Sequence, residues 1–477
     1  MRILLLRPAA GGNASMARSF PLGLVAIGSV LKRAGHEVKI LDLRISNTPD
    51  AELKQNMAAF DPEVVGIGIM TIEAECGFIG AAEVKKLKPN VPVIFGGPHC
   101  SHEPQYILSD PNVDYVVRGE GDRTIVELIS ALEASADLSG VKGIAYRKNG
   151  ECVQTMDRPV ITDLDWLQQE YDLIEVERYF DFRSSMDFFP AYRDRHFLPI
   201  VTSRGCPFLC TYCHDIFSKT MHYRSPEVVL DEIEFLMQRY GVKEFHIVDD
   251  MFNLNMPRAK LILQMIIDRG LDIHISFPNG LRVDFFDDEL IDIMKRAGVY
   301  RMALGVEAGS QRIQEMIKKD LDIGLVEGVV KRLTNSKISV HGFFMLGFPT
   351  ETREEMYETL DLACRSGFTT VNFSLVIPNP GTEIRQTVIS ENEKNSQEFS
   401  QYTTFNIDKT ACKVSARELL EIKREGHRRF YLSARRARKV LQTMEFKWLV
   451  RSALKTPLAL LWRNAIAPTN APTSSSN

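Results

Sequence analysis

No stretch of this 477-residue chain runs to about 18 uninterrupted apolar residues, the length a membrane-crossing helix needs, so a spanning segment is not expected. A secretory leader is not expected either: the opening apolar run breaks at Pro8-Ala9-Ala10-Gly11-Gly12, too short for a signal core and without a small-residue cleavage site. The expected location is therefore cytoplasmic, and in that compartment the eight cysteines are not expected to pair as disulfides. Neither sign of charge dominates. Lys+Arg 58 against Asp+Glu 62 leaves a formal charge of -4, so no global field attracts nucleic acid, and none is expected as a partner. No internal repeat is evident. The first strand is not followed by G-x-G-x-x-G, since Gly11-Gly12 does not supply it, which argues against a nicotinamide or flavin fold.

What is present is an ordinary globular balance, 44% apolar and 25% charged, over a length that suits two to four domains. From 1 to 147 apolar runs at 2–6, 37–41, 64–69, 93–95 and 115–117 alternate with helical spacing at 22–34, 51–60, 75–87 and 124–134. Runs such as Val64-Val65-Gly66-Ile67-Gly68-Ile69 do not alternate with polar residues, as expected of strands covered on both faces. The fold class is α/β, beginning with a doubly wound, Rossmann-like sheet that would bind a ligand at the carboxyl ends of its strands.

Residues 148–196 read as a connecting segment rich in aromatics: Trp166, Tyr171, Tyr179, Phe180, Phe182, Phe188, Phe189 and Tyr192 either fill an interdomain seam or line a substrate pocket. A second alternation, 197–385, holds six strand candidates at 200–203, 244–248, 273–277, 301–304, 339–346 and 370–375. Six βα units make a partial (β/α)6 barrel, with chemistry expected at the strands' C-terminal ends. Residues 386–466 form a helical, basic C-terminal region, and 467–477 have the composition of a disordered end. From 413 to 464 there are 14 Lys/Arg against 4 Asp/Glu, a balance of +10. For 413–440 the expectation is a helix closing the open side of the barrel. For 444–462, where Trp448 and Trp462 interleave with Lys447, Arg451 and Lys455, it is peripheral contact with the inner face of a membrane.

Cys206-Pro207-Phe208-Leu209-Cys210-Thr211-Tyr212-Cys213 follows the first strand of this second unit. Three thiolates on one loop can ligate three irons of a [4Fe–4S] cluster and leave the fourth without a protein ligand. A tetrahedral zinc site completed by His214 is the alternative.

The C-x3-C-x-aromatic-C pattern after a barrel strand resembles the radical S-adenosylmethionine (SAM) superfamily, in which the open iron chelates SAM and an electron from the cluster releases a 5′-deoxyadenosyl radical. The resemblance carries over by position. Tyr212 takes the aromatic place near the adenine, and Asp249 and Asp250 take the polar motif near the methionyl amino group, although this motif departs from the Gly-Gly-Glu form. Glu307, in Gly305-Val306-Glu307-Ala308-Gly309-Ser310, is the implied ribose acceptor, and Gly347 belongs to the glycine stretch by the adenine. Arg282 pairs with the SAM carboxylate or else is a surface charge beside Asp284 and Asp287.

In the first unit, Leu22 and Gly23, Thr71, Gly96, Gly97 and Pro98, and Gly119 and Glu120 all fall at carboxyl ends of strands. Glycines there allow a flat macrocycle to approach the backbone. The arrangement resembles the cobalamin-binding domain of cobalamin-dependent radical SAM enzymes, called class B when they methylate. The D-x-H-x-x-G motif that ligates cobalt elsewhere is absent, so cobalamin is expected without a protein histidine on the metal; His99 and His102 are read as polar loop contacts near a solvent edge.

The resemblance implies a C-methyltransferase acting on an unactivated carbon of a small-molecule or lipid-like substrate, through a 5′-deoxyadenosyl radical and methylcobalamin. It implies a [4Fe–4S] cluster, SAM and cobalamin as cofactors, with a flavodoxin- or ferredoxin-type external electron donor. Hydrogen abstraction itself demands no general base, so no catalytic side chain is assigned. The alternatives are an oxidative cyclase or ring-forming or ring-contracting enzyme on a tetrapyrrole or lipid, and a non-catalytic cobalamin carrier or sensor.

Overall fold

The computed structural model describes residues 1–9, 19–180, 192–194, 196–214, 216–388 and 412–432. Its strands, in chain order, are β1 (Arg2–Arg7), β2 (Glu37–Asp42), β3 (Val64–Gly68), β4 (Val93–Gly96), β5 (Tyr115–Val117), β6 (Ile144–Lys148), β7 (Glu151–Gln154), β8 (Phe197–Ile200), β9 (Ser203–Arg204), β10 (His222–Tyr223), β11 (Glu244–Ile247), β12 (His274–Leu281), β13 (Val299–Glu307), β14 (Ser339–Leu346) and β15 (Thr370–Leu375).

The first sheet runs β2-β1-β3-β4-β5-β6-β7. Its first five strands are parallel, and the chain reverses winding between β1 and β3, the kind of switch point at whose carboxyl side open α/β sheets bind ligands. Alternate side chains of β1 enter different cores. Ile3 and Leu5 pack with the helices Leu22–Arg33 and Gly121–Glu133, while Leu4 and Leu6 pack against Pro49–Phe60 and Ala74–Leu87. That two-sided burial explains the unbroken apolar runs.

The sheet extends beyond the sequence expectation through an antiparallel hairpin of β6 and β7, which carries it to Gln154. The hairpin turns on Asn149 (φ 53) and Gly150 (φ 85), two left-handed residues of the kind a two-residue turn requires.

The second sheet runs β15-β14-β13-β12-β11-β8, every neighbouring pair parallel, in the monotonic order of a six-unit partial barrel. The connecting segment fills the seam between the two units. Tyr171 is 2% exposed and donates to Glu232 Oε1 at 2.6 Å, Tyr179 donates to Asp42 Oδ2 at 2.7 Å, and Trp166 lies between Arg33 and Arg123. Phe182, Phe188 and Phe189 lie outside the described residues.

The helix Ala416–Tyr431 packs on β15 and on the helix Arg353–Arg365, burying Leu419, Ile422 and Phe430. β15 is the end strand of its sheet, and the Tyr431 hydroxyl accepts the Val371 N–H at 3.0 Å and donates to the Val371 carbonyl at 2.7 Å. The helix thus covers an edge that would otherwise offer unpaired backbone. The expected membrane segment, 444–462, lies outside the described residues. Among those described, no helix is long and apolar enough to cross a membrane.

Candidate functional site

The chain leaves β8 through a turn fixed by buried polar groups. Asp249 accepts the Thr202 N–H (2.6 Å), the Thr202 hydroxyl (2.5 Å) and the Ser203 hydroxyl (2.6 Å), and Arg258 donates to the Thr202 carbonyl at 2.8 Å. Asp249 is thus occupied in holding this turn, and burial keeps its carboxyl above the usual range. Of the two aspartates expected near SAM, Asp250 alone faces the cysteine cavity.

Gly205 then turns the backbone with φ +95; a Cβ there would sit 2.1 Å from the Thr220 carbonyl oxygen, so only glycine fits. The loop is held from the other side as well. Thr211 N–H donates to Ile317 O at 3.0 Å, Ile384 N–H donates to Thr211 O at 2.9 Å, and Lys219 Nζ reaches Phe208 O at 3.3 Å.

Cys206 and Cys213, with His214, Phe217, Asp250 and Asn279, border a cavity of about 260 Å³. Lost hydration and the nearby Cys210 and Cys206 push the Cys213 thiol up to about 12, and burial also raises Cys206. The sulfurs therefore need a strong cationic partner to ionise. Among the described residues no three His, Cys, Asp or Glu side chains converge on a single metal ion. In a cluster each iron takes one thiolate, so the three thiols of this loop need not converge on one point.

Tyr212 lies against Phe348 with ring centroids 5.7 Å apart. Glu307 is buried with a left-handed φ of 69, and its Oε1 pairs with Lys319 Nζ at 3.0 Å. Gly347 (φ +94) donates its N–H to Glu351 Oε2 at 2.6 Å, and Phe348 N–H reaches the same oxygen at 2.9 Å. Among the described residues the other Glu351 oxygen is buried without a hydrogen bond, and burial raises this carboxyl to about 8.

Arg282 departs from the surface-charge expectation. It is 5% exposed rather than at the surface, and its fork is taken by Asp284, with Nε at 2.9 Å and Nη2 at 2.6 Å. Nη1 donates to Lys319 O at 2.9 Å, and the guanidinium lies 3.8 Å from the centre of the Phe208 ring. It props the cysteine loop.

On the first sheet, among the described residues, a Cβ on Gly23 or Gly119 would meet nothing within 4 Å, and one on Gly96 only Val117 at 3.9 Å. These positions and Leu22, Thr71 and Pro98 lie along the carboxyl edge, with Met70 and Ile72 exposed beside Thr71, an open rim suited to a flat, partly apolar group. Gly97 is glycine for another reason: with φ +109, its Cβ would stand 2.4 Å from the Ile69 carbonyl oxygen. Glu120 turns away from the rim, accepting the Ile161 N–H at 2.6 Å and pairing with Arg204 at 3.0 Å. His99 is fully buried, not at a solvent edge, and burial together with His102 and Arg385 lowers it to about 4.

The two carboxyl edges face one another across two junctions. At one, Arg204 pairs with Glu120 and Asp122. At the other, the His102 ring occupies the space a Cβ on Gly381 would need, 2.2 Å from Nδ1. Sequence reasoning missed Arg204, Asp122, Lys319 and Glu351. An acid four residues after the Gly347 turn was a signal for the last; the others depend on contacts between distant segments.

Residues 200–363 match the Radical SAM superfamily and residues 15–129 match the B12 binding domain. An uncharacterized methyltransferase of Pyrococcus horikoshii is 33% identical over 418 residues, 86% of this chain and 88% of that protein. An anaerobic magnesium-protoporphyrin IX monomethyl ester cyclase of Synechocystis is 30% identical over 326 residues, 67% of this chain and 63% of that one. In fold, the chain is similar to the radical S-adenosylmethionine methyltransferase TsrM from Kitasatospora setae, solved with cobalamin and a [4Fe–4S] cluster, with TM-score 0.69, 20% identity, and coverage of 81% of this chain and 77% of that one.

Proposed function

This chain belongs to the cobalamin-dependent radical SAM enzymes, and from that premise we propose that it is a C-methyltransferase acting on an unactivated carbon of a small-molecule or lipid-like substrate. The observation that carries this reading is the opposition of two carboxyl edges in one chain. One bears the loop of Cys206, Cys210 and Cys213, two of which, Cys206 and Cys213, border one cavity, and the other bears Gly23, Gly96 and Gly119, where a Cβ would meet no described residue closer than 3.9 Å. When bound, the cluster with SAM supplies one-electron chemistry that yields a carbon-centred radical, and cobalamin supplies a carrier for a methyl group.

The chain's own residues place and shield these groups. Cys206, Cys210 and Cys213 give three thiolates and lose three protons on metal binding. Glu307, fixed by Lys319, presents a carboxylate to hydroxyl donors, while Tyr212 and Phe348 offer apolar faces beside it. Asp250 is the acceptor facing the cysteine cavity. Glu351 holds the Gly347–Phe348 turn by two backbone bonds. A one-electron reductant is required, and in this reading it is a flavodoxin- or ferredoxin-type protein.

The test is anaerobic reconstitution with iron, sulfide and cobalamin, followed by incubation with trideuteromethyl SAM and a small-molecule and lipid extract from cells lacking the protein. A labelled methyl acceptor formed together with 5′-deoxyadenosine supports methylation. The Synechocystis relative motivates a second reading, oxidative cyclisation, which would give 5′-deoxyadenosine and an oxidised product without label.

A further inference from the structure

We propose that Arg204 is a positioning residue that sets the spacing between the cysteine cavity and the glycine edge, and so keeps the two cofactor sites in register; this rests on the functional reading above. Arg204 stands two residues before Cys206. Its Nη1 donates to Glu120 Oε1 at 3.0 Å and to Asp122 Oδ2 at 2.9 Å, and its Nη2 reaches Asp122 Oδ1 at 3.3 Å. The arginine side chain is 12% exposed and each carboxylate 4%, so the triad is held away from water.

Both ends of the bridge are anchored. On the barrel side, Asp249 and Arg258 fix Thr202, Asp249 also fixes Ser203, and Arg224 donates to Val201 O at 2.9 Å. The guanidinium also lies 5.3 Å from the centre of the Phe217 ring, which borders the cysteine cavity. On the sheet side, Asp122 lies in the first turn of the helix Gly121–Glu133, directly after the open Gly119 turn, and Glu120 is tied to the connecting segment through Ile161.

Two carboxylates share one cation here. Without the cation they would repel across a dry gap, and the glycine turn would move off the cysteine loop. The other junction, His102 against Gly381, is a close packing contact and would remain as a pivot.

The experiment uses the full-length holoenzyme, loaded with cluster and cobalamin and reduced so that the cluster and cobalt(II) are both paramagnetic. Pulsed dipolar spectroscopy then reads the distance between them. The wild type should give one narrow distance. Arg204→Met and Asp122→Asn should shift it to a longer, broader distribution, and Arg204→Lys, which keeps the charge, should recover most of the wild-type signal. If both weakened variants keep the wild-type distance, the proposal is overturned. Asp122→Asn at the wild-type distance overturns it also where Arg204→Met fails to load its cofactors. A wild-type protein that takes up no cobalamin contradicts the functional reading instead, and that is read before any variant is made.

Discussion

Replacing Arg282 with Met separates two roles for this side chain. Family resemblance implies a partner for the SAM carboxylate, whereas its contacts make it a prop for the cysteine loop. The guanidinium is bidentate to Asp284, bonds Lys319 O, and stacks on Phe208, two residues after Cys206. Removing one member of a buried pair costs about 3–5 kcal/mol when the remaining charge stays dry. The Asp284 side chain is 26% exposed, so water recovers part of that cost. Lost stacking on Phe208 restores roughly 1 kcal/mol to the penalty. The net is about 3 kcal/mol, concentrated between the loop and the barrel, and at 1.4 kcal/mol per factor of ten it corresponds to roughly a 100-fold loss in cluster affinity. The assay is iron retained per chain after reconstitution and challenge with a graded chelator. Arg282→Lys, which keeps the charge but not the fork, should fall between wild type and Arg282→Met. An Arg282→Met protein that holds iron as well as wild type but has lost SAM binding would refute the loop-prop reasoning and return the residue to the carboxylate.

At the sheet edge, Gly96→Leu should abolish cobalamin binding while leaving the fold and the cluster intact. Gly97→Ala should lower the melting temperature, because its Cβ falls 2.4 Å from a carbonyl oxygen, and His99→Ala should keep cobalamin without a nitrogen ligand on cobalt; a thermal melt checks the Gly97 variant, and absorbance and cobalt(II) paramagnetic spectra check the other two. Glu351 gives a pH dependence whose sign is fixed. Its carboxyl is raised in the folded state from 4.5 to about 8, so the stability it contributes is full below 4.5 and is lost as pH rises toward 8. Wild-type melting temperature should fall across that window, and Glu351→Gln, which mimics the protonated group, should fall less; parallel slopes would remove Glu351 as the source.

The cysteine loop was legible because its three thiols fall within eight consecutive residues, and the parallel strands because two-sided burial removes polar alternation. The β6–β7 hairpin was also readable: Asn149-Gly150 between two short runs is a strong local turn signal, passed over at the edge of an assumed linker. Asp249 and Asp250 were not separable, since adjacent aspartates look alike until Thr202 and Ser203 claim one of them. The same holds for Glu120, whose orientation depends on an arginine 84 residues away. Sequence placed residues on strand ends; which way each side chain turns was decided by partners on other segments.

The most direct test of the central claim is trideuteromethyl SAM turned over by the reduced, fully loaded protein in an extract from cells lacking it, read by mass spectrometry. The expected result is one acceptor gaining a trideuteromethyl group on carbon, formed together with 5′-deoxyadenosine and lost when Cys206, Cys210 and Cys213 are replaced by Ala. Production of 5′-deoxyadenosine with no labelled acceptor in any fraction would contradict it.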